Sequence, residues 1–112
     1  AEMMKNIEYT IYREKPDFVN VYGDTNSTLA GALVAYKLDI PVIHIEAGLR
    51  SFNKVMPEEK NRILTDHSSS ILLCPSKAAI TNLANEGITQ NVHHVGDIMF
   101  DAVINFRHLF LS

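Results

Sequence analysis

One cysteine, no tryptophan and no long apolar run mark this sequence by what it leaves out. With Cys74 alone, an internal disulfide and a cysteine-rich zinc site are both excluded. That usage fits a reducing compartment, and the expected location is the cytoplasm. No apolar stretch approaches the roughly 18 residues that mark a membrane-spanning helix. The opening AEMMKNIEYTIY lacks the positive-then-apolar layout of a secretory leader. Ten Lys and Arg stand against 13 Asp and Glu, a formal net charge of −3, and the cations are scattered. A nucleic-acid surface therefore has no electrostatic footprint. The glycine-rich nucleotide loops are missing too. The segment "GDTNST" matches neither G-x-x-x-x-G-K-[ST] nor G-x-G-x-x-G. Hydride transfer with a nicotinamide has no direct support.

What is present suffices for one folded domain. The chain has 112 residues, 46% of them hydrophobic and 21% charged, a balance that provides a core and argues against disorder. Met3, Met4, Ile7 and Ile11 recur at helical spacing over residues 2–14, and Pro16 ends that helix. Residues 18–22 form a short apolar run of the buried parallel-strand type. A second helix begins near Thr25, with Asp24 or Thr25 as its cap, and carries Leu29, Ala32, Leu33 and Tyr36. Gly31 inside it points to close packing. A second strand covers residues 42–45. Pro57 starts a third helix in the favoured first-turn position, with Ile63, Leu64 and His67 expected along one side. A third strand (71–74) leads to a helix capped by Ser76 and stopped by Gly87. "NVHHVGD" gives a weak fourth strand, and Met99, Ala102, Val103, Phe106 and Phe110 line a last helix. A helix followed by four strand–helix repeats predicts a Rossmann-like α/β fold, a parallel sheet with helices on its faces. Four short strands make a small sheet, and the expectation is part of a larger domain.

In such sheets ligands gather beyond the carboxyl ends of the strands. Asp24 follows the first strand there and Glu46 the second, so two carboxylates share one edge if the strands pair. Asp24 can be a helix cap, a site carboxylate, or both. Glu46 leaves the apolar run "IPVIHI", and Glu is rarely buried unpaired. Arg50 is its available partner. Glu58 and Arg62 lie four apart on a helix and share a face, a pattern equally typical of a surface ion pair. His44, two residues before Glu46, points the same way in alternation, as a satisfied core histidine or a site group. His67 is expected to be structural, and Asn61 and Asp66 add polarity. Adjacent His93 and His94 make a poor metal pair, so no metal and no cofactor are expected. The backbone donors of "GDTNST" at a helix start suit an anion or a sugar hydroxyl.

"VYGDTNSTLAGALVAYKLDIPVIHIEAGLRSF", followed by "MPEEKNRILTDH" and "HVGDIMFDAV", resembles the non-hydrolysing UDP-N-acetylglucosamine 2-epimerase family over nearly the whole chain. Four motifs occur in the right order. Hydrolysing relatives usually carry an arginine after the Gly-Asp and "HIEGG", where this sequence has Thr25 and "HIEAGLR".

The resemblance implies a fragment of a two-domain GT-B-type enzyme with the nucleotide sugar in the cleft. Residues 1–112 are expected to be the second half of the N-terminal domain. The first strands and the whole C-terminal domain, which supplies most diphosphate contacts, would lie outside it. By motif, Asp24, Glu46 and Glu58 match the family's acidic residues at the sugar, and Arg62 matches the arginine after them. Arg50 and His44 belong to the same substrate-side segment. The implied reaction interconverts UDP-GlcNAc and UDP-ManNAc by loss and re-addition of UDP through 2-acetamidoglucal, in the cytoplasm, for envelope polysaccharides. UDP-2,3-diacetamido-uronic acids are the alternative substrates, and a non-catalytic fragment is the alternative role. The implied partners are a UDP-sugar and, for the full-length protein, a second copy in a homodimer, with no membrane.

Overall fold

The computed structural model describes residues 2–14, 16–95 and 110–111. The chain runs α1 (Glu2–Glu14), β1 (Val19–Tyr22), α2 (Asn26–Lys37), β2 (Val42–Ile45), α3 (Pro57–His67), β3 (Ile71–Cys74), α4 (Lys77–Asn85), β4 (Val92–His94) and β5 (Phe110–Leu111). All pairings are parallel, in the order β4-β3-β2-β1-β5. The α/β, Rossmann-like expectation holds.

Local chemistry sets the boundaries. Thr25, rather than Asp24, caps α2 by accepting the amide of Thr28 at 3.1 Å. The Thr28 hydroxyl donates back to the Tyr22 carbonyl at 2.7 Å, tying the end of β1 to the start of α2. Ser76 caps α4 in the same way. Pro57 opens α3, and Gly87, at φ +86, follows α4.

Among the described residues, two apolar clusters hold the layers. Ile11, Val21, Val34 and Val42 pack α1 and α2 against β1 and β2. Leu72, Cys74, Ala79 and Leu83 pack α4 against β3. Gly31 is buried in α2.

Helix α3 departs from expectation. Its buried residues are Glu59, Asn61, Thr65 and Asp66, while Leu64 is 49% exposed. Ile63, Leu64 and His67 do not form its inward side, because hydrogen bonds rather than apolar burial hold it. Phe110 lies in β5, paired with Asn20 of β1, and not on a final helix. The other residues of that expected helix, and Gly96 and Asp97, fall outside the described residues. Among the described residues no helix is long and apolar enough to cross a membrane.

Candidate active site

The register Tyr22↔Ile45 brings the ends of β1 and β2 level. Gly23 (φ +81) turns the chain out of β1 into Asp24, and its amide donates to the Ile45 carbonyl at 3.1 Å. After β2, Glu46 adopts φ +71 and Gly48 φ +82. The amides of Glu46 and Ala47 both donate to the Leu73 carbonyl, at 3.1 and 3.0 Å. A left-handed glutamate is an uncommon conformation that persists only where its surroundings over-determine it. It also breaks strand alternation, so His44 and Glu46 do not share a direction. Glu46 is half-buried and accepts a hydrogen bond from the Tyr22 hydroxyl. Burial, then this bond and the glutamate charge, push the Tyr22 phenol up to about 12.

Asp24 receives Arg62 from α3. Nε and one Nη of the guanidinium reach the same carboxylate oxygen at 3.0 and 2.9 Å. The other Nη donates to Glu59 at 3.2 Å. Glu59 is buried and also accepts the amides of Ser51 and Phe52, at 3.0 and 2.9 Å. Its burial favours protonation, but these two amides and Arg62 outweigh that and lower its pKa. Asn61 donates to the Asp24 carbonyl and to the Asn26 side chain, at 3.0 and 2.9 Å. Glu58, the expected partner of Arg62, is exposed, and Arg62 bonds Asp24 and Glu59 instead.

A second layer lies beneath this rim. Arg50 is expected beside Glu46, but its guanidinium donates twice to Glu86, at 2.7 and 2.9 Å, and once to Asp66 at 2.8 Å. Its side chain is 1% exposed. Burial opposes the Arg50 charge, yet the bonds to Glu86 and Asp66 overcome it and raise its pKa. His44 is fully buried, with Nδ1 on Asp66 and Nε2 2.8 Å from the Gly23 carbonyl. Arg50 was expected at the substrate, and His44 either there or as a satisfied core histidine, which is how the structure places it. Here protein groups occupy their polar atoms, so they support the rim and do not line it. His67 is exposed and meets Glu86 at 3.0 Å. Cys74 is fully buried, and burial and the Asp66 charge, opposed by Arg50, push its thiol up to about 11. A thiol so protonated at neutral pH is no nucleophile. Among the described residues no three His, Cys, Asp or Glu cluster as a metal site.

Sequence reasoning read Glu59 as a first-turn anion and Asp66 as added polarity, gave neither a place in the site, and passed over Tyr22 and Glu86. Glu59, Arg62 and Asp66 sit at i, i+3 and i+7, a polar stripe with helical periodicity, and that was the available signal. Glu86 had none.

The edge thus offers an open rim of Asp24 and Glu46, with the Asp24 carboxylate gripped by arginine and Glu58 exposed nearby in sequence. Such a rim can hold a polyhydroxyl ligand and move protons. A family model described as UDP-N-acetylglucosamine 2-epimerase matches residues 1–111. The chain is 58% identical over 105 residues to a UDP-N-acetylglucosamine 2-epimerase homolog of Methanococcus maripaludis, covering 94% of this chain and 29% of that protein. It is 59% identical over 109 residues to the UDP-2,3-diacetamido-2,3-dideoxy-D-glucuronate 2-epimerase of Pseudomonas aeruginosa, covering 95% and 31%. The structure of the Methanocaldococcus jannaschii UDP-GlcNAc 2-epimerase in complex with UDP-GlcNAc and UDP superposes with a TM-score of 0.84 at 55% identity, covering 92% of this chain and 29% of that one. The chain therefore spans about 30% of the length of the relatives it matches. With the motif order, the strand-end carboxylates and a match over residues 1–111, the chain belongs to the UDP-N-acetylglucosamine 2-epimerase family.

Proposed function

We propose that this chain is part of the N-terminal Rossmann-like domain of a two-domain UDP-sugar 2-epimerase, and that Asp24, Glu46 and Glu58 are its catalytic carboxylates. The observation that carries the reading is the juxtaposition of Asp24 and Glu46 at the ends of paired strands, in a chain of this family. The reaction is the interconversion of UDP-GlcNAc and UDP-ManNAc. The C2 proton has no adjacent carbonyl to acidify it. UDP therefore departs from C1 with the bonding pair as a base removes the C2 proton, and the C1–C2 double bond of 2-acetamidoglucal forms. Return of UDP to C1 with protonation of C2 from the opposite face gives the epimer. Carboxylates on both sides of the ring supply the base, the acid and negative charge near C1. Arg62 holds Asp24 in place.

A second reading changes only the sugar. The 59% identity to the diacetamido-glucuronate epimerase equals or exceeds that to the UDP-GlcNAc relatives, which supports testing a UDP-2,3-diacetamido-uronic acid beside UDP-GlcNAc. The deciding experiment gives each UDP-sugar to the full-length natural protein in D₂O and follows epimer formation, deuterium at C2 and release of UDP with the glycal. Turnover of one substrate with C2 labelling supports that reading, and no exchange with either overturns both. The 112-residue chain alone is expected to give no turnover, because orientation depends on the diphosphate contacts of the second domain.

A further inference from the structure

Asp66 lies at the centre of the layer beneath the rim, and its two oxygens serve two different turns. One oxygen bonds His44 Nδ1, and His44 Nε2 lies 2.8 Å from the Gly23 carbonyl. The other accepts the Gly48 amide at 3.1 Å and Arg50 at 2.8 Å. Gly23 precedes Asp24, and Gly48 closes the turn that Glu46 opens. The Asp66 side chain is fully buried.

We propose that Asp66 is a positioning residue that fixes the two carboxylate-bearing turns, Gly23–Asp24 and Glu46–Gly48, against each other through His44 and the Gly48 amide. Three observations carry this. First, both anchored groups are backbone atoms, so the clamp sets where the chain runs and leaves the Asp24 and Glu46 side chains to the rim. Second, a carbonyl only accepts, so His44 must carry a proton on Nε2 to hold Gly23. The Asp66 carboxylate also only accepts, so Nδ1 carries a proton as well and donates to it. Third, Glu46 sits at positive φ, a conformation that a residue with a side chain keeps only when held from outside. One turn of α3 separates Asp66 from Arg62, so a single helix grips the Asp24 side chain through Arg62 and its preceding carbonyl through Asp66 and His44.

The kinetic test rests on the epimerase reading and uses the full-length protein. Asp66→Asn keeps size but brings an amide donor against the donors of His44, Gly48 and Arg50. The expected result, per folded molecule, is a kcat lowered by about 10²-fold, as for a displaced catalytic group, with KM changed by no more than about threefold. In an Asp24→Asn, Glu46→Gln background the same change should lower kcat little further, because it acts through those two carboxylates. A lower melting temperature with unchanged kcat per folded molecule would overturn the proposal in favour of a purely structural role. If Asp66→Asn does not fold, ¹⁵N-histidine NMR of the wild-type protein decides, with the His44 resonances assigned by their loss in His44→Gln. A protected proton on Nε2 is expected, and a bare Nε2 overturns the link to Gly23. Absence of wild-type turnover with either UDP-sugar would count against the epimerase reading alone, and the imidazole measurement would still decide this one.

Discussion

Arg62 pairs with Asp24, 38 residues earlier in the chain, rather than with Glu58, one turn before it on α3. The pair is only partly sheltered, with side chains 18% and 32% exposed. Such pairs contribute about 0–1 kcal/mol to stability. Arg62→Lys keeps the charge but loses the two-nitrogen grip on one oxygen. On the proposed epimerase function, the full-length protein is expected to melt within a few degrees of wild type and to turn over about tenfold or more slower, the worth of a charge-assisted hydrogen bond. Equal turnover in the lysine variant would remove Arg62 from the site.

Glu46→Gln separates charge from shape. The left-handed turn and the Leu73 contacts stay, while the negative charge and the proposed proton transfer go. Turnover is expected to fall by about 10²–10⁴-fold, with substrate affinity little changed. Deuterium incorporation at C2, read beside a melting curve, checks this. Near-wild-type exchange would exclude Glu46 from catalysis.

Glu59 predicts a pH effect on stability. Its folded pKa lies below the ordinary 4.5, so its contribution is fully present above 4.5 and is lost as the pH falls through the folded value. Glu86, lowered mainly by its bonds with Arg50, acts with the same sign. Melting temperature should therefore drop on acidification below about pH 4.5, and Glu59→Gln should flatten that limb. Glu59→Ala should cost about 1–3 kcal/mol at neutral pH by stranding the Ser51 and Phe52 amides. An unchanged acid limb in Glu59→Gln would refute the assignment.

Two glycines with nearly equal φ should respond differently to alanine. At Gly48 a Cβ would sit 2.5 Å from the Ala79 carbonyl oxygen, whereas at Gly23 nothing lies within 4 Å. Gly23→Ala should cost about 1–2 kcal/mol, the left-handed penalty alone. Gly48→Ala must also push α4 from the turn, and its cost should clearly exceed that of Gly23→Ala. Chemical denaturation of the two variants side by side tests the contrast.

The fold was legible because each element start carries its own chemistry. The Thr25 and Ser76 hydroxyls, Pro57 and the apolar runs at 42–45 and 71–74 act within a few residues of themselves. The strand ends followed, and with them the placing of Asp24 and Glu46. The ion pairs were not legible. Spacing favoured Glu58 with Arg62 and Glu46 with Arg50, but Arg50 bonds groups 16 and 36 residues away. Helical proximity is worth only a few tenths of a kcal/mol, so the fold decides: Arg62 meets Asp24 at the rim and buried Glu59, while Arg50 turns to Glu86 and Asp66 in the layer beneath. The inward face of α3 was misjudged for the same reason, since a hydropathy pattern assigns Ile63 and Leu64 to the core and cannot see that carboxylates there have partners. Phe110 fits helical spacing with Phe106, yet pairing with Asn20 places it in a strand.

The polar inner face of α3 also sets how the rim responds to temperature. Helix α2 buries Ala32, Val34 and Ala35, whereas α3 buries Glu59, Asn61, Thr65 and Asp66. Exposing apolar surface raises heat capacity, and exposing polar surface lowers it. Detaching α3 should therefore carry a smaller heat-capacity change than detaching α2. The hydrophobic hold on α2 weakens on cooling. The hold on α3 depends less on that term, so the side of the rim that carries Arg62 should lose less of its attachment on cooling than the α2 side.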